Sequence, residues 1–435
     1  MDKAIQRHSF FSIIEVAKEL GISQKTVRRH IASGKLKSVK IGGVFRIPID
    51  ALEDFINSKV VEPDQNCNFN SFGKKIIPND KASKSIKKIN YKSNGADNVN
   101  WVSVTDVWKE VKPSDRTFVD LFSGAGGITK GFEMAGLRGV CGLDWFPEAG
   151  KTYRRNFSHP FVEGDIKLKE KKEEFYATVA KKLGNETLSI VAGGFPCQGF
   201  SMSGNRITDD PRNSLYKELL EIVKRLQPEF VVCENVVGLR SMLGGKVEDM
   251  ILNDFKNAGY CMNVTVLRAA DYGVPQKRDR VIFIGNRVNK TNFHPEPFLS
   301  EANYFTTSDA IGDLISLPDN PNFNHVTTKH RPDMMERMQT LEEGKSLYKG
   351  YSDAWKKCPW NEPSCTIKEN HGGVNIHPKL PRVLTAREMA RIQSFPDDFI
   401  FEGPKNKQLV QLGNAVPPLL AKAIGIAIRK SYGEL

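Results

Sequence analysis

Phe118-Val119-Asp120-Leu121-Phe122-Ser123-Gly124-Ala125-Gly126-Gly127 decides the fold of this chain. A run of large apolar residues broken by a single acid reads as a strand hidden on both faces. The glycines that follow read as a turn into a helix. Glycines at that point let a ligand approach the backbone at the carboxyl end of a strand, where open α/β sheets bind ligands. A merely tight strand–helix connection would carry the same glycines, so the turn needs support from its surroundings. Working outward, Val140–Asp144, Leu188–Ala192, Phe230–Cys233 and Val281–Ile284 read as further strands, with helices after Gly127 and near 148–157. Alternation of this kind predicts a mostly parallel sheet with helices on both faces.

The strand ends support a ligand. Asp144 closes the second strand with Trp145 beside it. A carboxylate there can hydrogen-bond the two ribose hydroxyls of a nucleoside, and an indole can pack on a purine. Asp165, in Glu163-Gly164-Asp165-Ile166, ends the third strand. Glycine, acid and acid at three consecutive strand ends suit an adenosine-containing cofactor. The second Gly-x-Gly of a dinucleotide fingerprint and the Lys-Ser/Thr of a P-loop are missing, which favours a nucleoside without phosphates.

Gly193-Gly194-Phe195-Pro196-Cys197-Gln198-Gly199-Phe200-Ser201 is the sharpest chemical signal. Free cysteine is usually a buried structural thiol. Here Pro and Gly flank it just beyond a strand, which places it on an exposed turn as a candidate nucleophile. Glu234 ends the hydrophobic strand of Phe230-Val231-Val232-Cys233-Glu234-Asn235-Val236, where desolvation favours a protonated carboxyl; an ordinary surface acid is the bland alternative. Gln276-Lys277-Arg278-Asp279-Arg280 runs directly into Val281–Ile284 and brings guanidinium groups to a sheet edge, unless it is only a basic surface cluster.

At 435 residues, 40 % hydrophobic and 26 % charged, the chain has room for about three globular domains. Seven cysteines, an odd number without close pairs, and eight scattered histidines give no metal or disulfide framework. No stretch reaches the ~20 apolar residues of a membrane span. Met1-Asp2-Lys3-Ala4-Ile5 lacks a secretory core, so a cytoplasmic protein with no membrane partner is expected. The net charge of +12 is uneven: residues 1–100 carry a surplus of 8, the remainder only 4. A basic N-terminal part on a nearly neutral body suggests a polyanionic partner.

Residues 9–58 read as a separate unit. Val16, Ala17 and Leu20 share a helix face that Gly21 ends, and Ser23 caps a second helix through Ala32. On that helix Val27 and Ile31 face inward while Lys25, Arg28 and Arg29 face outward, ready to enter a major groove. Strands 38–41 and 44–47 turn about Gly42-Gly43, and Asp50 with Glu53 caps a helix through Phe55 and Ile56. This order resembles the winged helix-turn-helix of excisionase and MerR-type regulators, which implies DNA binding; a helix pair used for protein contacts is the alternative.

Taken in succession, Asp-Leu-Phe-Ser-Gly-Ala-Gly-Gly, Phe-Pro-Cys-Gln, Glu-Asn-Val and Gln-Lys-Arg-Asp-Arg resemble the DNA cytosine-5 methyltransferases. The resemblance continues through Arg382-Val383-Leu384-Thr385-Ala386-Arg387-Glu388, Gln393-Ser394-Phe395-Pro396 and Gln411-Leu412-Gly413-Asn414-Ala415-Val416-Pro417-Pro418. It covers roughly 115–430 and implies a Rossmann-like α/β core that uses S-adenosylmethionine to methylate carbon 5 of a cytosine flipped out of duplex DNA. Cys197 would be the nucleophile, Glu234 the group at N3 and Arg280 the group at O2. Phe122, Gly124, Gly126, Asp144, Trp145, Asp165, Pro196, Leu215, Asn414 and Val416 would hold the cofactor, although Asp at 144 stands where the family often has Glu. Gln198, Ser201 and Arg278 would contact DNA, with 198–213 a closing loop. No residue is assigned to take the carbon-5 proton.

The implied organisation is a winged helix-turn-helix over 1–60, a basic flexible linker over 61–114 and the catalytic core over 115–286. A small target-recognition domain over 287–381 and a return to the core over 382–435 complete it. A restriction–modification enzyme, monomeric in catalysis and matched to a cognate endonuclease, is expected. The competing readings are an RNA cytosine methyltransferase and a non-catalytic DNA-binding regulator on the same scaffold. For the N-terminal unit, operator binding and simple tethering both stay open.

Overall fold

The computed structural model describes residues 10–13, 16–17, 24–34, 36–41, 44–48, 51, 55, 99–196, 214–348, 355–368 and 374–435. The chain forms two compact units, a small N-terminal one and a large one.

In the N-terminal unit, strands β1 (Phe10–Ser12), β2 (Val39–Ile41) and β3 (Val44–Pro48) form an antiparallel sheet in the order β1-β3-β2. The expected hairpin is β2–β3; β1 adds a strand too short to leave a periodic signature. Helix Gln24–Ala32 is present, with Val27 buried, Ile31 half-buried and Arg28 exposed. Val16, Ala17, Leu36, Ile47 and Phe55 complete the small core. Gly21, Ser23, the Gly42-Gly43 turn, Asp50, Glu53, Ile56 and the side chains of Lys25 and Arg29 lie outside the described residues.

The large unit begins earlier than expected. The assigned linker 61–114 is corrected from residue 99 on: β4 (Asn100–Val102) pairs in parallel with a strand late in the chain, and Val104 and Val107 are buried. Trp108 lies so close to Gly273 that a Cβ there would stand 1.9 Å from the indole. Burying this aromatic surface outweighs the polar run that precedes it.

The main sheet comprises β5 (Thr117–Leu121), β6 (Arg138–Asp144), β7 (Phe161–Glu163), β8 (Ile190–Gly193), β9 (Phe230–Val236), β10 (Cys261–Arg268) and β11 (Asp279–Asn286), in the order β10-β11-β9-β8-β5-β6-β7. β7, β6, β5, β8 and β9 are parallel, and β11 inserts antiparallel between β9 and β10. The remaining strand, β12 (Phe293–Pro295), is the partner of β4.

Successive side chains of β5 serve opposite layers. Val119 and Leu121 pack with Phe175, Val179, Leu219, Val223, Ile251 and Phe255. Phe118 packs with Phe132, Leu420, Ile424 and Ile428 on the other face. The helices of that second layer, Gly127–Met134 and Pro418–Tyr432, touch backbone to backbone: a Cβ at Gly131 would meet Pro418 O at 2.4 Å, and one at Gly127 would meet Val416 O, just ahead of the second helix, at 2.2 Å. The chain's end is thereby fixed beside the glycine turn. The stretch Lys405–Tyr432, two helices joined by a short turn, is long and apolar enough to cross a membrane, yet 83 % of its most apolar window is buried inside the fold.

A third cluster joins Ala125, Tyr153 and Phe157 to Ile311, Ile367, Leu384, Met389, Phe395 and Phe399. The segment expected as a separate small domain therefore shares its apolar core with the glycine turn. Helix Ala386–Ile392 opens with a capping box of Thr385 and Glu388, and Arg382 grips Glu388 through two bonds of 2.8 and 2.7 Å.

Candidate active site

β5 lies between β6 and β8, so the strand order reverses at its carboxyl end and leaves a crevice there. The chain turns sharply on leaving β5: Phe122, Gly124 and Gly126 have φ of 55°, 53° and 92°. The glycines are not equivalent. A Cβ on Gly126 would strike the Phe157 ring at 2.3 Å, whereas none of the described residues stands within 4 Å of one on Gly124. Gly124 is the open point of the turn.

Asp144 holds that point in place. Its Oδ2 accepts a hydrogen bond from Gly124 N at 2.8 Å and its Oδ1 one from Phe146 N at 2.9 Å. Burial pushes the carboxyl up, and these backbone N–H groups pull it back towards the ionised form. Each oxygen keeps a further lone pair for a ligand hydroxyl. Beside it Trp145 is 69 % exposed, its indole tilted against the Phe146 ring at 6.2 Å between centroids and otherwise open among the described residues. Asp165 is exposed beyond β7, its Oδ1 accepting from Lys167 N. Asn414 is exposed and Val416 buried on the turn that reaches Gly127. Phe122 and Leu215 are half-buried against the core of the opposite layer.

A carboxylate with free lone pairs, an uncovered aromatic face and an open glycine fit a nucleoside. Below them Asp120 is wholly buried, its Oδ2 accepting from Thr129 N at 3.2 Å and Thr129 Oγ1 at 2.7 Å. Thr129 Oγ1 lies 3.0 Å from the Tyr153 hydroxyl, which is 2.7 Å from His159 Nε2. Burial pushes Asp120 up to about 7, against the Thr129 bonds, with Asp144 adding to the rise.

On the other side of the crevice, β9 and the antiparallel β11 bring Glu234 and Arg280 together. Arg280 Nε is 2.7 Å from Glu234 Oε1, both side chains nearly buried. The second oxygen, Oε2, faces Gly194, where a Cβ would stand 2.9 Å away. The ion pair thus lies directly against the segment that runs through Phe195 to the exposed Pro196. Asn235, which the sequence reading passed over, clamps this segment: its Nδ2 donates to Phe195 O at 2.8 Å and its Oδ1 accepts from Val236 N. Its position next to Glu234 was the available signal. Cys197, Gln198 and Ser201 lie outside the described residues.

Arg278 is a correction. Expected against DNA, it is 2 % exposed and donates to Ile367 O at 2.9 Å and Gly413 O at 3.1 Å. Burial, with Arg280 nearby, pushes its pKa well below the ordinary arginine value. A guanidinium spent on two main-chain carbonyls belongs to the framework. No His/Cys/Asp/Glu group able to hold a metal occurs among the described residues.

Residues 116–430 match the family of C-5 cytosine-specific DNA methylases, and residues 10–60 match a helix-turn-helix domain. The chain belongs to that methylase family and is a DNA methyltransferase. The Type II methyltransferase M1.HphI of Haemophilus parahaemolyticus is 39 % identical over 330 residues, 72 % of this chain and 87 % of its own. M.Eco47II of Escherichia coli, another Type II methyltransferase, is 30 % identical over 96 % of this chain and 95 % of its own. Among solved structures, a protein described as a DNA modification methyltransferase encoded within a prophage (E. coli) superposes with a TM-score of 0.60 at 25 % identity, over 74 % of this chain and 100 % of its own.

Proposed function

We propose that this protein is a DNA cytosine-5 methyltransferase of a Type II restriction–modification system, with Cys197, Glu234 and Arg280 as its catalytic residues. The observation that carries the reading is the Glu234–Arg280 pair. N3 and O2 of cytosine are neighbours on the ring, and groups that serve both must themselves be neighbours.

Carbon 5 of cytosine is too weak a nucleophile to be methylated directly. The Cys197 thiolate adds to carbon 6, and the electron pair displaced from the ring double bond makes carbon 5 an enamine carbon. Glu234 hydrogen-bonds or protonates N3 as the thiolate adds, and Arg280 stabilises the charge that develops on O2. S-adenosylmethionine supplies the methyl group. Asp144 would receive its ribose hydroxyls, Trp145 its adenine face, and Gly124 its closest approach. Asp165, Pro196, Leu215, Asn414 and Val416 complete the cofactor set. Loss of the carbon-5 proton and departure of the Cys197 thiolate restore the aromatic ring. A stacked cytosine hides carbon 6, so the base is flipped into the pocket. Gln198 and Ser201 belong to the segment that meets DNA, and 287–381 reads the target sequence. The enzyme works as a monomer in the prokaryotic cytoplasm, with a cognate endonuclease as its functional counterpart.

The match with a Type II relative over nearly the whole of both chains and the N-terminal helix-turn-helix favour DNA over RNA as substrate. Arg28, exposed on helix Gln24–Ala32, supports a second DNA contact there. That unit either represses a promoter or tethers the enzyme; deleting residues 1–60 and measuring promoter occupancy and methylation separately decides, since unchanged promoter binding removes the operator role.

Bisulfite sequencing and nucleoside mass spectrometry of DNA from cells expressing the protein test the function. The expected result is 5-methylcytosine within one recurrent sequence, lost in Cys197→Ser although DNA and cofactor binding persist. Methylation of adenine or of the cytosine amino group, or near-normal turnover by Cys197→Ser, would overturn it.

A further inference from the structure

Three buried polar side chains outside the proposed chemistry meet where the catalytic strand, the target-recognition segment and the C-terminal turn converge. Gln276 is fully buried; its Oε1 accepts from Ile367 N at 2.9 Å and its Nε2 donates to Gln393 Oε1 at 2.8 Å. Gln393, equally buried, donates through Nε2 to Leu412 O at 2.6 Å and, more weakly, to Ala415 O at 3.4 Å. Arg278 spans the same gap from Ile367 O to Gly413 O. Backbone bonds add to the seam, with Lys277 N donating to Ser364 O and Ser364 N to Pro275 O. The turn 412–416 that Gln393 grips ends on Val416, packed against Gly127 of the cofactor turn.

None of the three side chains can reach DNA or cofactor, because all are enclosed. The two amides, and the two terminal nitrogens of Arg278 (its Nε has no partner among the described residues), find these bonds only when all three segments are docked, and a buried polar group without its partner is costly. Moving segment 364–367 releases Gln276, which releases Gln393 and with it the turn bearing Asn414 and Val416. We propose that Gln276 and Gln393 are positioning residues that couple DNA engagement at the target-recognition segment to cofactor affinity. The inference rests on the reading that Asn414 and Val416 face the cofactor. Coupling of this kind is reciprocal, so bound cofactor equally favours the DNA-ready arrangement.

The test is calorimetric binding of S-adenosylhomocysteine to the full chain, with and without a short duplex carrying the mapped methylation site. In the unaltered enzyme the duplex should tighten this ligand about tenfold. Gln276→Met and Gln393→Leu should each bring that ratio close to unity, and the double variant should do no more than either. An unchanged ratio in folded variants, or single effects that multiply in the double variant, overturns the coupling. A merely structural role would lower melting temperature without moving the ratio. If Gln393→Leu does not fold, Gln393→Asn, one methylene too short to bridge both partners, is read the same way. Asn414→Ala separates the two layers of the argument: weaker binding without DNA is expected, and unchanged binding removes both the cofactor placement and the coupling built on it.

Discussion

Under the proposed function, the cofactor side and the base side of the crevice hold their principal carboxylates in opposite ways. Asp144, on the cofactor side, is held by two backbone N–H groups that belong to the turns themselves and cannot reorient. Glu234, on the base side, is held by the side chain of Arg280, which can change partner. A fixed acceptor suits neutral hydroxyls bound alike throughout a reaction. An exchangeable ion pair suits a ring whose charge shifts as bonds form. On that proposal, binding and chemistry fall to different halves of one sheet.

Substitutions that remove one carboxylate at a time should break this division if it is wrong. Glu234→Gln keeps size and loses the carboxyl group; turnover should fall about 10²–10⁴-fold while S-adenosylhomocysteine affinity stays nearly constant, as single-turnover kinetics and calorimetry would show. Asp144→Ala should do the reverse, weakening the same ligand about 10–100-fold with little change in kcat at saturation, the expected loss for hydrogen bonds to a charged group. Trp145→Ala should raise the KM for the methyl donor about fivefold, the scale of one lost aromatic contact.

The smallest effect concerns Asp120, a third carboxylate beneath the turn with neither a guanidinium nor an outer ligand. Its folded pKa of about 7 lies above the ordinary 3.8, so between those values the folded state binds more protons and loses stability as pH rises. Asp120→Asn does not titrate. Its melting temperature relative to the unaltered enzyme should climb by about 2 °C or more between pH 5 and pH 8. A difference that stays flat across that range would show that Asp120 ionises freely in the fold.

What the sequence made legible follows from how far apart the deciding residues stand. The strand Thr117–Leu121 and its glycine turn are contiguous, and burial on both faces leaves a largely apolar run interrupted by the single acid Asp120. Glu234 ended one recognisable strand and Arg280 opened another, although the antiparallel insertion that joins them is a topological fact no local pattern encodes. Arg278 and Arg280 are two apart and look equivalent in sequence, yet one is buried on carbonyls contributed by residues 367 and 413. The Gln276–Gln393 bond spans 117 residues and has no periodicity to announce it. Trp101 and Trp108 follow a polar stretch and read as linker; only the space left by Gly273 shows where Trp108 goes.

The central claim is covalent attack by the thiol at 197, and a duplex with 5-fluorocytosine at the methylated position tests it most directly. Fluorine replaces the hydrogen that must leave carbon 5, so turnover stops with the enzyme attached. The account predicts a complex that survives denaturation, forms only with S-adenosylmethionine present, maps to the peptide containing Cys197 by mass spectrometry, and is lost in Cys197→Ser. Active enzyme that methylates the ordinary duplex yet leaves the fluorinated one unattached would contradict it.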